Sequence, residues 1–400
     1  MIRRHSPVAT IIIARAVRDF ADGFVAVLLP VYLTLLGLDA LAIGLVATAA
    51  LIGSAAMTLA FGLLGGRWDV RGLLIAAALL MAATGWAFAA LDGVIVIALV
   101  ALVGTINPSA GTASLFVPLE HAVLARSVSD QARTRSFARY SLVGALAAAA
   151  GSLAAASPTG LTAVGVAPLT AMQAMFVLYG LLGVGAGVMY RRLPPLPPAA
   201  GQSPSALGPS RRRVFHLAAL FSLDSFAGGM VVQSLLALWL FQRFDLSLAE
   251  AAWFFFAAGL LSAASLPVAG WLGERIGLVN TMVFTHIPAN CALMAAAVAP
   301  DLTLALGFLL LRALLSQMDV PARSSYVMAV VTPPERTAAA SVTAVPRSLA
   351  TAAAPLLAGA MVDAGWTTVP LLAAGALKLI YDLLLLTQFR TIRPPEEAGW

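Results

Sequence analysis

The sequence predicts an all-α integral membrane protein with twelve transmembrane helices in two pseudo-symmetric bundles of six. Three observations carry that reading. Of the 400 residues, 60% are hydrophobic and only 10% charged, with a mean hydropathy of +0.93; a soluble chain carries roughly 25% charge. The apolar residues come in runs long enough to cross a bilayer, which takes about 20 residues each. One polar stretch divides those runs six from six, and the two halves resemble each other.

The runs lie at 8–36, 41–64, 72–91, 94–122, 137–157, 168–190, 214–241, 248–272, 277–299, 302–329, 337–361 and 366–388. The basic start "MIRRHSP" leads into an apolar run with no clear small-residue cleavage site, so it reads as a retained first helix. Nearly all loop arginines fall on one side of this topology; the other side has Arg243 beside Asp39, Asp92, Asp245, Asp301 and Asp363. The positive-inside rule then puts both termini in the cytoplasm, the membrane being the inner one if the source is bacterial. Topology accounts for the net charge of +6 and calls for no nucleic acid. A single cysteine, Cys291, excludes an internal disulfide and any Cys-based zinc site.

Residues 191–213, "RRLPPLPPAAGQSPSALGPSRRR", form the longest polar interruption. Their Pro, Ser and Gly content predicts a semi-extended cytoplasmic linker. It separates an N-terminal bundle, 1–190, from a C-terminal bundle, 214–400. "FADGF" at 20–24 matches "FAGGM" at 226–230, and "GLLGGR" at 62–67 matches "GWLGER" at 270–275. Pro118, Arg133 and Thr134 match Pro321, Arg336 and Thr337. Matches in one order at a slowly drifting offset argue for a duplicated six-helix unit.

With these features the chain resembles the major facilitator superfamily of transporters over essentially its whole length. The family's loop motif between helices 2 and 3 is best kept in the second half, as Gly270, Gly273, Glu274, Arg275 and Gly277. The first-half copy keeps Gly62, Arg67 and Arg71 but has Gly66 where the family has Asp, with Asp69 a substitute nearby. The resemblance implies gating charge pairs at Arg67, Arg71, Glu274 and Arg275. It also implies a substrate cavity lined by helices 1, 4, 7 and 10.

The charges inside the spans need a reason. Arg15, Arg18, Asp19 and Asp22 lie within eight residues of the first span. A charge at mid-span costs roughly 2.5–3.5 kcal/mol on insertion scales, so four cost on the order of 10 kcal/mol unless paired or facing a cavity. Arg15, Asp19 and Asp22 share a helix face, and Arg18 stands one turn before Asp22, which predicts local pairs. On helix 10, Arg312, Ser316, Asp319 and Arg323 would form one polar stripe. Helix 7 offers Asp224, with Ser222, Ser225 and Gln233 near it, and helix 4 offers Asn107, Gly111 and Ser114, with Glu120 and His121 at its inner end. Asp22, Asn107, Asp224, Gln233, Arg312 and Asp319 are the substrate or proton candidates. Arg15, Arg18, Asp19 and Arg323 read as gating or structural pairs. Arg347, a Lys378–Asp382 pair and the solitary His286 read as structural.

The drug/proton antiporter branch has an Arg-x-x-x-Gly element in helix 4, but this chain has "NPSAG", with Asn107 at the arginine position and Arg312 at the repeat-related one. The helix-5 Gly-Pro element of that branch is missing from "AGSLAA" and echoed in "APLLAG" at 354–359. No Walker motif, Gly-x-Ser-x-Gly elbow or His-x-x-x-His pair occurs. The resulting expectation is a secondary active transporter, not an enzyme, working by alternating access without a cofactor. Its partners are a small-molecule substrate, protons in preference to sodium, and the lipid bilayer, and it is expected to be a monomer. Proton-coupled efflux of a small organic compound is favoured. Proton-coupled uptake or exchange of an organic anion is the alternative, and a non-transporting receptor or membrane-embedded enzyme the remote one.

Overall fold

The computed structural model describes residues 6–64, 68–110, 114–128, 130–196, 207–332 and 335–390. Sixteen helices and no strand occur among them. The first half contains Pro7–Leu35 (α1), Ala40–Leu64 (α2), Val70–Ala90 (α3), Val94–Val103 (α4), Phe116–Ser127 (α5), Asp130–Ala154 (α6), Ser157–Ala163 (α7) and Pro168–Tyr190 (α8). The second contains Arg211–Gly229 (α9), Gln233–Phe244 (α10), Leu248–Ile276 (α11), Leu278–Ala297 (α12), Leu302–Leu315 (α13), Asp319–Ala329 (α14), Arg336–Asp363 (α15) and Val369–Phe389 (α16).

Ten helical stretches are long and apolar enough to cross a bilayer. α1 is long enough as well, at 29 residues, but every 18-residue window in it holds at least three of its four charges. With α1 and the α4–α5 pair, the expected twelve spans are accounted for.

Three spans expected to be continuous are broken. The fourth splits into α4 and α5 around 104–115, the seventh into α9 and α10, and the tenth into α13 and α14. Proline explains two of the breaks. Pro118 and Pro321 are each the third residue of the new half-helix, where the missing N–H is harmless. Carried one turn further back as unbroken helix, each ring would meet the carbonyl four residues before it. In the seventh span Gly228 and Gly229 precede the break, and such small-residue pairs are a usual place for a helix to kink.

The chain forms two compact units. One is Met1–Gly201 with Val232–Phe256; the other is Gln202–Val231 with Ala257–Trp400. The outer half of the seventh span, α10, therefore packs in the first unit, where Ser234 N donates to Pro108 O at 3.1 Å.

Each unit is locked by the same backbone contact. In the first, α1 lies so close to α6 that a Cβ on Gly23 would sit 2.1 Å from the Ala148 carbonyl oxygen. In the second, a Cβ on Gly229 would sit 2.3 Å from the Thr351 carbonyl oxygen, where α9 meets α15. Gly229 follows Gly23 by 206 residues and Thr351 follows Ala148 by 203, the offsets of the sequence repeat. Close backbone approach through small residues is how helices associate where lipid supplies no hydrophobic drive between them.

Both described ends of the linker are fastened by a carboxylate. Asp69 caps α3 through Arg71 N and accepts from Leu196 N at 2.7 Å, while Val70 N donates to Leu196 O. It thus ties the linker start to the first unit, and its described contacts are backbone amides. In the second unit Glu335 accepts from Thr332 Oγ1 (2.5 Å) and Ser210 Oγ (2.7 Å) on one oxygen, and from Gly208 N (2.6 Å) and Ser210 N on the other. These hydrogen bonds, led by Thr332 and then Ser210, hold its carboxyl at about 2, below the ordinary 4.5. A carboxyl lowered on folding adds stability that is full above its unfolded value and disappears as pH falls through the folded one. The melting-temperature advantage of the native protein over Glu335→Gln should therefore shrink as pH falls from about 4.5 to about 2. An advantage that stays constant over that range would show that Glu335 is not ionised in this clamp.

Candidate functional site

In the first unit Arg18 of α1 is satisfied by other helices, whereas Arg15 and Asp19 pair within α1. Arg18, 1% exposed, reaches across to α5 and pairs with Glu120 through Nη2 at 2.5 Å. Its Nε donates to Tyr190 Oη on α8 at 3.0 Å, its Nη1 to Ser114 Oγ at 3.4 Å, and its guanidinium stacks on Phe116. Glu120 has no exposed surface and is saturated, since Tyr140 of α6 and Tyr190 also donate to it at 2.5 Å. Arg15 pairs with Asp19 one turn on, at 2.6 Å, over the Tyr140 ring. The expected Arg18–Asp22 pair is not made: a local i, i+4 pair is worth only a few tenths of a kcal/mol, less than a fully desolvated charge-assisted contact across helices.

Asp22 is left with neutral partners. It is buried at 4% exposure and makes no ion pair among the described residues. Tyr179 Oη of α8 donates to it at 3.4 Å, and the side chain of Asn107 lies within hydrogen-bonding reach. Asn107 stands in the unwound stretch after α4, where its Oδ1 accepts from Ser109 N. Gln233, at the start of α10, belongs to the same unit and donates to Ser152 Oγ of α6 at 3.3 Å.

In the second unit Asp224 of α9 is the hub. Arg323 of α14 reaches it at 3.2 Å and also pairs with Asp319; Lys378 of α16 reaches it at 2.5 Å. The expected Lys378–Asp382 pair is therefore replaced by Lys378–Asp224. His286 of α12 stands between Asp382, at 2.8 Å, and Asp224, at 3.7 Å, and Asn290 donates to Asp382. Arg347 of α15 donates to Ser225. Arg312 joins neither acid: it makes no ion pair among the described residues, and its buried Nε has no hydrogen-bond partner. The break before Asp319 interrupts the expected continuous stripe, and the Asp319 carboxylate is taken by Arg323.

The two ion pairs are the same pair with the charges exchanged. Arg18 plus 206 is Asp224, and Glu120 plus 203 is Arg323. The chain is thus a duplicated six-helix unit that repeats its buried salt bridge in reverse polarity and carries three broken spans. The family model for the Major Facilitator Superfamily matches residues 11–315 and 217–399. The chain belongs to the major facilitator superfamily. Membership makes it a multi-pass membrane protein and points to a transporter, not an enzyme.

An uncharacterized membrane protein of Saccharomyces cerevisiae is 20% identical over 362 residues, 80% of either chain. Among solved structures, a mutant of the nucleoside transporter NupG superposes with a TM-score of 0.77 at 15% identity, covering 96% of this chain and all of that one. An inward-facing, occupied bacterial homologue of the human lysosomal transporter Spinster gives 0.73 at 16%, covering 96% of each chain. The human organic anion transporter MFSD10 gives 0.67 at 17%, covering 96% and 100%. At these identities the likeness shows the superfamily fold alone.

Of the loop-motif candidates, Arg67 lies outside the described residues. Glu274 and Arg275 are exposed and unpaired with each other, Arg275 stacking on Trp271 at 5.0 Å. Arg71 is half-buried and makes no ion pair among the described residues. Tyr179, Tyr190, the pairing of Glu120 with Arg18 and the Asp224 partnership of Lys378 were missed by helical phase. The repeat offsets carried the signal for Glu120, since they align it with Arg323.

Breaking a buried pair by removing one partner costs about 3–5 kcal/mol, whereas replacing both by apolar groups is often neutral. Glu120→Ala should therefore sharply lower the yield of monodisperse protein in detergent, and Arg18→Met with Glu120→Leu should recover much of it. A double variant no better than the single one would mean that Arg18 and Glu120 do not depend on each other.

Proposed function

We propose that this superfamily member is a proton-coupled secondary transporter that exports a small organic compound by alternating access, as a monomer with both termini in the cytoplasm. The observation that carries this reading is the state of Asp22. It is the buried acid of the first unit whose hydrogen-bond partners are neutral, so it can gain or lose a proton without breaking an ion pair. Arg18, Glu120, Arg15 and Asp19 are committed to one another. Asp22 also sits beside the unwound stretch holding Asn107, and discontinuous helices are where transporters of this kind place substrate and ion sites. An intramembrane ionisable residue without a structural partner is a functional group by default.

The test uses vesicles containing only this protein and a panel of small organic solutes. Asp22→Asn keeps the shape and removes the carboxylate. It should abolish uphill, pH-gradient-driven flux while leaving downhill exchange and folded yield near native. Unchanged gradient-driven flux would eliminate Asp22 as the proton carrier.

Arg312 favours a second reading, in which the cargo is an organic anion. A guanidinium in a membrane span with its Nε buried and unbonded, and with no acid partner among the described residues, is expensive unless an anion meets it, and its planar fork suits a carboxylate or phosphate. One structural relative, MFSD10, is named as an organic anion transporter. Arg312→Lys keeps the charge but loses the fork. If Arg312 holds an anion, this change should weaken the apparent affinity for anionic solutes about tenfold or more, as loss of one charge-assisted hydrogen bond does, with protein abundance unchanged. Equal affinity in both proteins would remove Arg312 from the substrate site.

A further inference from the structure

The second unit contains a buried acid that no fixed cation touches among the described residues. Asp382 has no exposed surface, and among the described residues it meets His286, through Nδ1 at 2.8 Å, and Asn290, through Nδ2 at 2.9 Å. Lys378 stands one helical turn before it but turns to Asp224 Oδ1 instead. Arg323 is shared by Asp224 and Asp319. Of the three buried carboxylates, Asp224 and Asp319 therefore engage fixed cations directly, and Asp382 engages none among the described residues.

His286 is placed to supply the missing charge. It is 3% exposed, and both ring nitrogens face carboxylate oxygens: Nδ1 faces Asp382 Oδ1, and Nε2 faces Asp224 Oδ1 at 3.7 Å. A neutral imidazole has one N–H and one lone pair, so one of its nitrogens would turn a lone pair towards a carboxylate. The imidazolium presents a donor to both. The other charged or titratable groups on the elements packed against α12 are Lys378 and Tyr381 on α16, Asp319, Arg323 and Tyr326 on α14, and Arg312 on α13. Of these, Tyr381 packs edge-on to the imidazole at 5.9 Å between ring centres, and Lys378 shares the oxygen that Nε2 faces.

We propose that His286 is a second proton-binding site, in which a proton taken from water is held between Asp382 and Asp224 and competes with Lys378 for Asp224 Oδ1. The step is a protonation alone: imidazole plus hydronium gives imidazolium plus water. With the proton bound, Asp224 has a third cation and the grip of Lys378 weakens; without it, Lys378 holds α16 to α9. The proton thereby redistributes contacts among α9, α12 and α16. This site does not rest on the Asp22 reading, because its residues all lie in the second unit.

Ring nitrogen shifts of ¹⁵N-histidine in the full-length protein in lipid nanodiscs report the site directly. The chain has four histidines, and the signals lost in His286→Gln identify the right ring. The expected result is a doubly protonated His286 ring at about pH 6, which becomes neutral in Asp382→Asn. A ring that is neutral in the native protein from about pH 5 to about pH 8, or one whose protonation is the same in Asp382→Asn, would overturn the proposal. Should Asp382→Asn fail to fold, Lys378→Met decides. Removing the competitor should carry the titration of His286 to higher pH, and an unmoved titration would overturn the competition. Asp22→Asn should leave these signals in place whatever it does to flux, so the two readings can fail separately.

Discussion

A buried salt bridge between the first and fourth spans, and its charge-reversed copy between the seventh and tenth, is the constraint on which the rest of each unit depends. Arg18–Glu120 and Asp224–Arg323 are both deep in apolar surroundings, where neither charge is tolerable without the other. Coulomb energy depends on the product of the charges, so exchanging their signs preserves the attraction. The surroundings adapt. Around Glu120 the extra donors are tyrosines, which add hydrogen bonds without charge; around Asp224 the extra donor is Lys378, which adds charge. The same exchange occurs one turn away. Asp19 meets Arg15 of its own helix near Gly144, while its repeat mate Ser225 meets Arg347, the residue 203 after Gly144.

Those bridges also hold the broken spans. α5 and α14 are short, 12 and 11 residues, and each begins at the same repeat position, since Asp319 follows Phe116 by 203. Short helices are marginal alone and draw their stability from tertiary contacts. Glu120 and Arg323 supply those contacts from the second turn of each half-helix. Breaks in a membrane helix also free backbone groups that must find partners within the protein. Near these breaks Thr105 N finds Thr84 Oγ1, Ser109 N finds Asn107 Oδ1, and Ser262 Oγ of α11 donates to the Ala313 carbonyl.

Hydropathy read the spans well because bilayer thickness sets their length, and the "FADGF" and "FAGGM" match was sound because Gly23 and Gly229 meet the same steric demand. Partner choice was read less well. Two of four i, i+4 charge pairs form, Arg15–Asp19 and Asp319–Arg323; the two others, Arg18–Asp22 and Lys378–Asp382, give way to contacts across helices. Helical phase knows only its own helix, whereas a desolvated charge selects the partner that satisfies most of its donors. The helix-10 stripe failed for a related reason. It presumed an unbroken helix through Ser316, and the restart at Asp319 gives that acid to Arg323 and leaves Arg312 in the last turn of α13.

The comparison of the repeats separates scaffold from working parts. Where both copies carry a charge at matched positions, as at 18 and 224 or 120 and 323, the charges are paired within their unit. Where only one copy carries a charge the outcome varies: Asp19, whose mate is Ser225, and Asp319, whose mate is Phe116, pair on their own helices, whereas Asp22 and Arg312 make no ion pair among the described residues. Asp22 corresponds to Gly228, and Arg312 corresponds in the sequence register to Asn107. A structural salt bridge is useful in both copies of a duplicated bundle and survives as a pair, even with its signs exchanged. The matched charges therefore place Arg18, Glu120, Asp224 and Arg323 in the structural framework, and Asp22 and Arg312 take no part in its ion pairs among the described residues.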